Sequence, residues 1–237
     1  MKVSVIIPVY NEERRIGASL EKIFFFLKSM EFDFEVLIVD DGSVDNTSNI
    51  LREYSKKMRS IEVLRNEKNM GKGYSVKKGV LSSKGDIVLY TDADLSTPIE
   101  EFNNLAPWLE NGFHIAIGSR DLPESVITTH QPWYREFMGK AFNRILRLIL
   151  GLDFHDTQCG FKCFQRRAAL ELFNSIKSSH FAFDAEVLLL AKMRGFQVKE
   201  VPVRWVHYHD SKVRLVKDSS KMLWDVLKMK LAYAFKK

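Results

Sequence analysis

The chain has 237 residues, of which 46% are hydrophobic and 28% charged, a composition that is typical of folded globular domains and excludes long disordered stretches. Its two cysteines, Cys159 and Cys163, are too few for the disulfide framework of a small secreted protein or for a structural zinc site. We therefore expect one globular domain in a reducing, cytoplasmic setting.

The formal net charge of +6 is concentrated at one end of the chain. Within residues 199–237, ten Lys or Arg residues stand against four Asp or Glu residues, so this segment carries the whole excess. A local basic surface favours an anionic partner, either a membrane surface or nucleic acid, although a solvated terminal helix has the same composition. No nucleic-acid-binding motif accompanies the basic segment, and we expect no nucleic acid partner.

The sequence also predicts how the chain meets a membrane. Met1 leads directly into the apolar residues 3–7, without the basic flank and long apolar segment that are typical of a signal peptide. No stretch reaches the roughly 18 uncharged apolar residues of a spanning helix. We expect peripheral contact at the cytoplasmic face of a membrane.

Short runs rich in Val and Ile predict five β-strands, at residues 3–7, 35–39, 61–64, 86–90 and 114–117. Continuous apolar strands that alternate with helices are typical of a parallel sheet covered on both faces. Farther along, the pattern predicts helices over residues 134–150, 182–194 and 219–235 and a strand over residues 197–206. The predicted fold class is α/β, with a mostly parallel central sheet flanked by helices.

Two of the predicted helices, residues 134–150 and 219–235, combine apolar residues with Lys and Arg. Helices of this kind can lie in the interface of a membrane. Alternatively, both can bury their apolar faces in the core. Lys230 falls within the apolar stripe of the last helix, which weakens its periodicity.

Polar segments follow four of the predicted strands. In α/β sheets the ligand site lies at the carboxyl ends of the strands, so we expect these segments to form one site. The segments are Pro8-Val9-Tyr10-Asn11-Glu12, Asp40-Asp41-Gly42-Ser43, Asp92-Ala93-Asp94 and Gly118-Ser119-Arg120.

Asp92 and Asp94 are the most specific of these residues. Two carboxylates at positions i and i+2 after a buried strand can share a hard divalent cation, Mg²⁺ or Mn²⁺. The cation would bridge the diphosphate of a nucleotide sugar and neutralise charge on the leaving nucleoside diphosphate. An Asp-x-Asp pair alone is also compatible with solvated or capping acids, and that alternative stays open.

Two further segments are compatible with either a structural or a ligand-binding role. Asp40 and Asp41 can form a turn and a helix cap, or one of them can accept hydrogen bonds from a nucleobase or ribose. Gly71 and Gly73 flank Lys72 before a predicted helix, so this segment can approach a phosphate, although it lacks the full phosphate-loop pattern.

Together, the four strand-end segments resemble the family 2 glycosyltransferases. Asp94-Leu95-Ser96-Thr97-Pro98 and Asp156-Thr157-Gln158-Cys159-Gly160-Phe161-Lys162 resemble the members that glucosylate dolichyl phosphate, and the mannosylating members are next in likeness. The match runs in order over residues 3–212. The resemblance implies a nucleotide-binding GT-A fold, a divalent metal, inversion at the anomeric carbon and a polyprenyl phosphate acceptor.

The resemblance also implies roles for individual residues. Asp92 and Asp94 would hold the metal. The catalytic set would be Asp94 with three cations that face the donor diphosphate or the acceptor phosphate: Arg120, Arg135 and Lys212. The nucleotide would be held by Pro8, Tyr10, Glu12, Val39, Asp41, Lys72, Asp92 and Ala93. Asp184 and Glu186 also fall in a stretch that resembles the family.

Two departures from the resemblance bear on the sugar. Ser96 stands where mannose-transferring relatives usually carry Gln, and residues 205–210 lack the Arg found there in those enzymes. Both differences favour glucose. His207 and His209 occupy that loop instead, either as ordinary surface or core residues or as further metal ligands.

The sequence therefore predicts an inverting transfer of glucose from UDP-glucose to a dolichyl or other polyprenyl phosphate. Mannose transfer from GDP-mannose is the alternative within the enzyme class. A non-catalytic nucleotide-sugar-binding subunit is the alternative outside it, which intact Asp92, Asp94 and Arg120 disfavour. We divide the chain into a glycosyltransferase domain, residues 1–212, and a basic amphipathic C-terminal helix, residues 213–237.

Overall fold

A computed structural model of the chain describes residues 1–129, 132–207 and 215–234. The strands are β1 (Lys2–Val9), β2 (Asp33–Asp40), β3 (Ile61–Arg65), β4 (Ile87–Thr91), β5 (Ile115–Ser119), β6 (Val126–Thr129), β7 (Phe161–Gln165), β8 (Val198–Pro202) and β9 (Arg204–Val206). The helices are α1 (Ile16–Lys28), α2 (Thr47–Lys57), α3 (Lys72–Ser82), α4 (Phe102–Glu110), α5 (Trp133–Leu150), α6 (Arg166–Ser175), α7 (Phe183–Met193) and α8 (Leu215–Ala234).

In the described part of the chain, seven strands form one sheet in the order β3-β2-β1-β4-β7-β5-β8. β1, β2, β3 and β4 are mutually parallel, and β8 is parallel to β5. β7 runs antiparallel to both of its neighbours, β4 and β5. The predicted α/β class and mostly parallel sheet are therefore confirmed, and the carboxyl ends of β1, β2, β4 and β5 share one edge.

Burial on both faces explains why the central strands are continuously apolar. In β1, Val5 and Ile7 face a cluster that α1 and α4 cover, whereas Ile6 faces the opposite cluster, which α3, α6 and α7 cover. All three side chains are fully buried. Alternate residues are thus buried on opposite faces of the same sheet, as expected for a parallel sheet that helices cover on both faces.

The sequence patterns do not predict β6 or α6, and two further features differ from the predicted elements. The single strand predicted over residues 197–206 is two strands, because the chain leaves the large sheet after Pro202, and β9 pairs with β6 in a small second sheet. β7 was not predicted as a strand, since fully buried Lys162 interrupts its apolar pattern.

The C-terminal helix α8 packs against α5 and α7. Val226, Met229 and Tyr233 of α8 are buried in the same cluster as the side chains of α7, so this helix covers part of the core. The division of the chain at residues 212 and 213 stays a prediction. Across the described residues, every helix falls short of the length or hydropathy that a membrane-crossing segment needs.

Candidate active site

The loops that follow β1 and β2 are joined by hydrogen bonds at the carboxyl edge of the sheet. The amide of Asn11 donates to the hydroxyl of Ser43 at 2.9 Å, and the amide of Glu12 donates to the hydroxyl of Thr47 at 2.7 Å. Arg15 then reaches the next loop, with Nη1 3.8 Å from Oδ2 of Asp94. Two of the four predicted segments are thus in direct contact, and Arg15 links a third to them.

The residues predicted to hold the nucleotide lie at this edge with different degrees of access. Tyr10 is exposed, and Glu12 pairs with Arg15 through Nη2 at 2.9 Å. Pro8 and Val39 are register partners in β1 and β2. The Val39 side chain is fully buried, so any contact of this residue with a nucleotide would fall to its backbone.

Asp41 shapes the turn that precedes α3. Its Oδ1 accepts hydrogen bonds from Nδ2 of Asn66 at 2.7 Å and from the amide of Met70 at 2.9 Å, and its Oδ2 accepts one from the amide of Gly71 at 2.8 Å. Asp40 accepts hydrogen bonds from the amide of Ser43 in its own turn and from the hydroxyl of Ser48 in the first turn of α2. The structure therefore shows structural partners for both acids, and the nucleobase or ribose contact of Asp41 stays a prediction.

Asp92 and Asp94 follow β4 and face positive charge. Nζ of Lys72 lies 2.6 Å from Oδ1 of Asp92, and Arg15 lies near Asp94. Ala93 between them is buried. Gly160 from the neighbouring loop touches the Asp92 carboxylate so closely that a Cβ at residue 160 would collide with it. The predicted acidic pair therefore lies beside the Lys72 cation, and its first member, Asp92, packs against Gly160.

The environment sets the protonation of these groups. Burial, followed by the charge of Asp92, raises the pKa of Asp94 above its usual value. Burial alone would lower the pKa of Lys72, but the carboxylates of Asp92, Asp184 and Asp94 raise it well above the ordinary value. Lys72 is thus a permanent cation, and the acidic pair carries mutual repulsion that added positive charge would relieve.

Beneath the acidic pair lies a buried ionic group that was not identified as part of the site from sequence. Lys162 of β7 is fully buried and forms an ion pair with Asp184 of α7. It also donates to the carbonyl oxygens of Thr157 at 3.2 Å and Cys159 at 2.9 Å. Tyr90 of β4 donates to the same Asp184 oxygen. The sequence signals were the lysine inside the apolar run of residues 161–164 and the likeness of the stretches around Lys162 and Asp184 to the family, and neither signal predicted that the two residues pair.

Arg120 at the end of β5 is held by Asp156. Nε and Nη2 of Arg120 donate to the two carboxylate oxygens at 2.6 and 3.0 Å, and the Arg120 amide donates at 3.1 Å. Burial alone would raise the pKa of Asp156, but the guanidinium more than offsets it, and the pKa lies below its usual range. This pairing leaves Nη1 of Arg120 outside the fork and fixes its direction.

The remaining predicted residues are dispersed or lie outside the described chain. Arg135 is half-buried in the first turn of α5. The ring of His207 stacks on Trp205 with centroids 5.9 Å apart. Lys212 and His209 lie outside the described residues. The structure brings together the segments after β1, β2 and β4, while the roles predicted for Arg135, His207, His209 and Lys212 stay predictions.

Sequence comparison identifies the class of protein that this fold and site define. Residues 4–173 match the model of "Glycosyl transferase family 2". The chain belongs to the family 2 glycosyltransferases, as the strand-end segments predicted, and it is therefore a glycosyltransferase.

The most informative relatives carry one name. A dolichyl-phosphate beta-glucosyltransferase of Trichomonas vaginalis is 37% identical over 220 residues, which cover 89% of this chain and 65% of that protein. The protein of that name from Homo sapiens is 32% identical over 246 residues, 98% of this chain and 76% of the relative. The predicted likeness to this branch is confirmed, and the chain spans about two thirds to three quarters of these relatives.

Solved structures share the fold at low identity. Glucosyl-3-phosphoglycerate synthase from Mycobacterium tuberculosis, in complex with Mn²⁺, UDP and phosphoglyceric acid, matches with a TM-score of 0.71 at 19% identity, over 97% of this chain and 78% of that one. Mannosyl-3-phosphoglycerate synthase from Rubrobacter xylanophilus matches with a TM-score of 0.70 at 22% identity, over 100% and 74%. The predicted GT-A fold is confirmed.

Proposed function

We propose that this chain transfers glucose from UDP-glucose to a dolichyl or other polyprenyl phosphate, with inversion at the anomeric carbon. The observation that carries the proposal is the alternation of charge after β4, where Lys72 pairs with Asp92 and Arg15 lies near Asp94. Such an arrangement suits a substrate that brings both phosphate oxygens and a divalent cation. The names of the relatives support glucose as the sugar and dolichyl phosphate as the acceptor.

Mg²⁺ or Mn²⁺ fits the donor set. Asp92 and Asp94 offer hard carboxylate oxygens. Burial and then the charge of Asp92 raise the pKa of Asp94, and a bound cation would offset both effects. Within the described residues, His, Cys, Asp and Glu side chains nowhere gather in threes to form a metal cage. The two aspartates would thus hold the ion together with donor phosphate oxygens and water. When bound, the ion would neutralise charge on the departing UDP.

The chain's own residues would orient and balance charge. A phosphate monoester has a second pKa near 6, so the acceptor is mostly a dianionic nucleophile at neutral pH and requires no strong general base. Its oxygen would form the new bond to the anomeric carbon as the bond from that carbon to the UDP oxygen breaks. Lys72 would contact the donor diphosphate, and Arg120, Arg135 and Lys212 would offset repulsion between the two anions.

The acceptor's lipid would be met by α5 and α8 at the cytoplasmic face of a membrane. On α5, Trp133, Phe137 and Leu148 are 79%, 70% and 76% exposed. On α8, Trp224 and Leu231 are also exposed, beside the exposed lysines of residues 221, 228 and 230. Exposed aromatic and basic side chains on two packed helices are typical of peripheral binding to anionic lipid.

The test is a panel of nucleotide sugars offered to the purified protein with a polyprenyl phosphate in detergent or vesicles. UDP-glucose should give a sugar-labelled product that extracts into organic solvent, and GDP-mannose should give much less. A reversed preference would identify a mannosyltransferase. Absence of lipid-linked product with every donor, despite nucleotide binding, would support a non-catalytic subunit instead.

A further inference from the structure

A buried carboxylate in the first turn of α7 receives three hydrogen bonds from other parts of the chain. Glu186 is 1% exposed, and it accepts from the amides of Lys177 at 3.0 Å and Ser178 at 2.8 Å. Its Oε1 also accepts a 2.7 Å hydrogen bond from the hydroxyl of Tyr233 in α8. An ionised carboxylate is stable away from water only when such donors replace its hydration. Glu186 thus joins α8 to the loop of residues 177–180.

That loop packs directly on the turn before α3. The carbonyl oxygen of Ser179 accepts a 3.0 Å hydrogen bond from the amide of Tyr74 in the first turn of α3. Gly71 has a φ of 100°, and a Cβ there would lie 2.5 Å from Nδ1 of His180. Only glycine tolerates both the backbone conformation and the contact. Displacement of residues 177–180 would therefore displace Gly71 and its neighbour Lys72.

The turn is held from two sides, and it ends at the site. On one side the Asp41 carboxylate accepts hydrogen bonds from the amides of Met70 and Gly71. On the other side stands the loop held by Glu186. Between them, Lys72 extends to within 2.6 Å of Asp92. Loss of either support would leave Lys72 free to take other positions.

The ring of Tyr233 packs in the core through contacts that do not involve its hydroxyl. Its ring is buried with Val226 and Met229 of the same helix, and Nζ of Lys177 lies 5.9 Å from the ring centroid. The carbonyl oxygen of Ser175 is a more distant second acceptor, at 3.5 Å from the hydroxyl oxygen. Phenylalanine at this position would keep the packing and remove the hydrogen bond to Glu186.

We infer that Tyr233 and Glu186 are positioning residues for the donor diphosphate, because they hold residues 177–180 against the Gly71 turn and so fix Lys72 beside Asp92. The C-terminal helix α8 then supports the donor site indirectly, through residues 177–180, in addition to its proposed contact with lipid. The identity of the ligand that Lys72 meets rests on the proposed function. The coupling between α8 and the turn rests on the contacts alone.

Hydrogen exchange of the full-length chain tests the coupling without any ligand. Tyr233→Phe should speed exchange about fivefold or more at residues 177–180 and at the Tyr74 amide, as expected for the loss of one buried hydrogen bond. Tyr54→Phe is the control for the loss of a tyrosine hydroxyl, because that hydroxyl donates to Glu21 at 2.8 Å between α2 and α1, on the opposite side of the sheet from α8. Unchanged exchange at Tyr74, or faster exchange throughout the core, would overturn the inference.

The affinity for UDP tests the consequence for the donor. Tyr233→Phe should raise the Kd for UDP with Mn²⁺ about five- to tenfold, and it should add less than twofold when Lys72 is already replaced by Gln. Equal effects in the wild-type and Lys72→Gln backgrounds would show that Tyr233 and Glu186 do not act through Lys72. A wild-type chain that binds no UDP would contradict the proposed function, while the exchange experiment would still decide whether α8 and the turn are coupled.

Discussion

Replacement of Asp156 by Asn should both destabilise the chain and misplace Arg120. The Asp156 carboxylate is 1% exposed and accepts hydrogen bonds from the Arg120 amide, Nε and Nη2 and from the amide of Gln158. Each oxygen accepts two of them, so an amide nitrogen in place of either oxygen removes two. At about 1.5 kcal/mol for a hydrogen bond to a charged group, the loss is about 3 kcal/mol. Partial exposure of Arg120 lowers the expected value to about 2–3 kcal/mol.

Thermal and urea unfolding measure this effect. For a domain of this size the loss corresponds to a fall in Tm of roughly 4–12 °C. Asp153→Asn is the matched control, since Asp153 pairs with Lys192 at 2.9 Å but is 89% exposed, and it should change stability by at most about 0.5 kcal/mol. Glucosyl transfer by the Asp156 variant should fall about tenfold or more. Wild-type stability and turnover would refute the claim that Asp156 fixes Arg120.

Three other predictions address pH, metal and membrane. Because the pKa of Asp156 in the folded chain lies below its ordinary value of 3.8, the ionised carboxylate stabilises the fold above about pH 4, and this stabilisation is lost as the pH falls through the folded pKa. In urea unfolding, the difference in unfolding free energy between the wild type and Asp156→Asn should therefore shrink below about pH 4. Asp92→Asn or Asp94→Asn should cut transfer at least about 1000-fold without lowering Tm, as should EDTA, and full activity in EDTA would contradict the metal role. In vesicle flotation, Phe137→Ser should weaken binding to anionic vesicles about tenfold. Phe25→Ser, at an 80% exposed residue on the opposite side of the sheet, should leave binding unchanged. Equal losses in the two variants would refute docking through α5.

The strand ends were predictable because their signals are local. A run of Val and Ile buried on both faces must end where polar residues begin, and parallel strands bring those ends to one edge. Asp92-Ala93-Asp94 could therefore be placed beside the segments after β1 and β2 without knowledge of the strand order. The hydrogen bonds of Asn11 and Glu12 to Ser43 and Thr47 join the segments after β1 and β2, and the 3.8 Å approach of Arg15 to Asp94 links the segment after β4 to them.

β7 was unpredictable because its burial depends on a distant partner. Lys162 is stable inside the sheet only since Asp184, in a different element, supplies the opposite charge, and carbonyl oxygens of Thr157 and Cys159 complete its hydrogen bonds. A lysine in a short apolar run predicts exposure when the partner is unknown. The split of residues 197–206 depends likewise on the pairing of β9 with β6.

The role of Asp41 shows where sequence patterns are ambiguous. An acid after a strand predicts a turn, a cap or a ligand contact equally well. The distinction depends on the amides of Met70 and Gly71, which lie about 30 residues farther along the chain, beyond β3, and contact Asp41 only in the folded structure. Glu186 is a similar case, because the family-like stretch around it does not predict that it accepts a hydrogen bond from Tyr233.

The most direct test of the account is transfer of radiolabelled glucose from UDP-glucose to dolichyl phosphate by purified wild-type, Asp92→Asn and Asp153→Asn proteins, assayed side by side with Mn²⁺. We predict an organic-extractable glucosyl lipid from the wild type and Asp153→Asn, at equal rates, and about 1000-fold less from Asp92→Asn. Product formation by Asp92→Asn at the wild-type rate, or absence of glucosyl lipid from the wild type, would contradict the account.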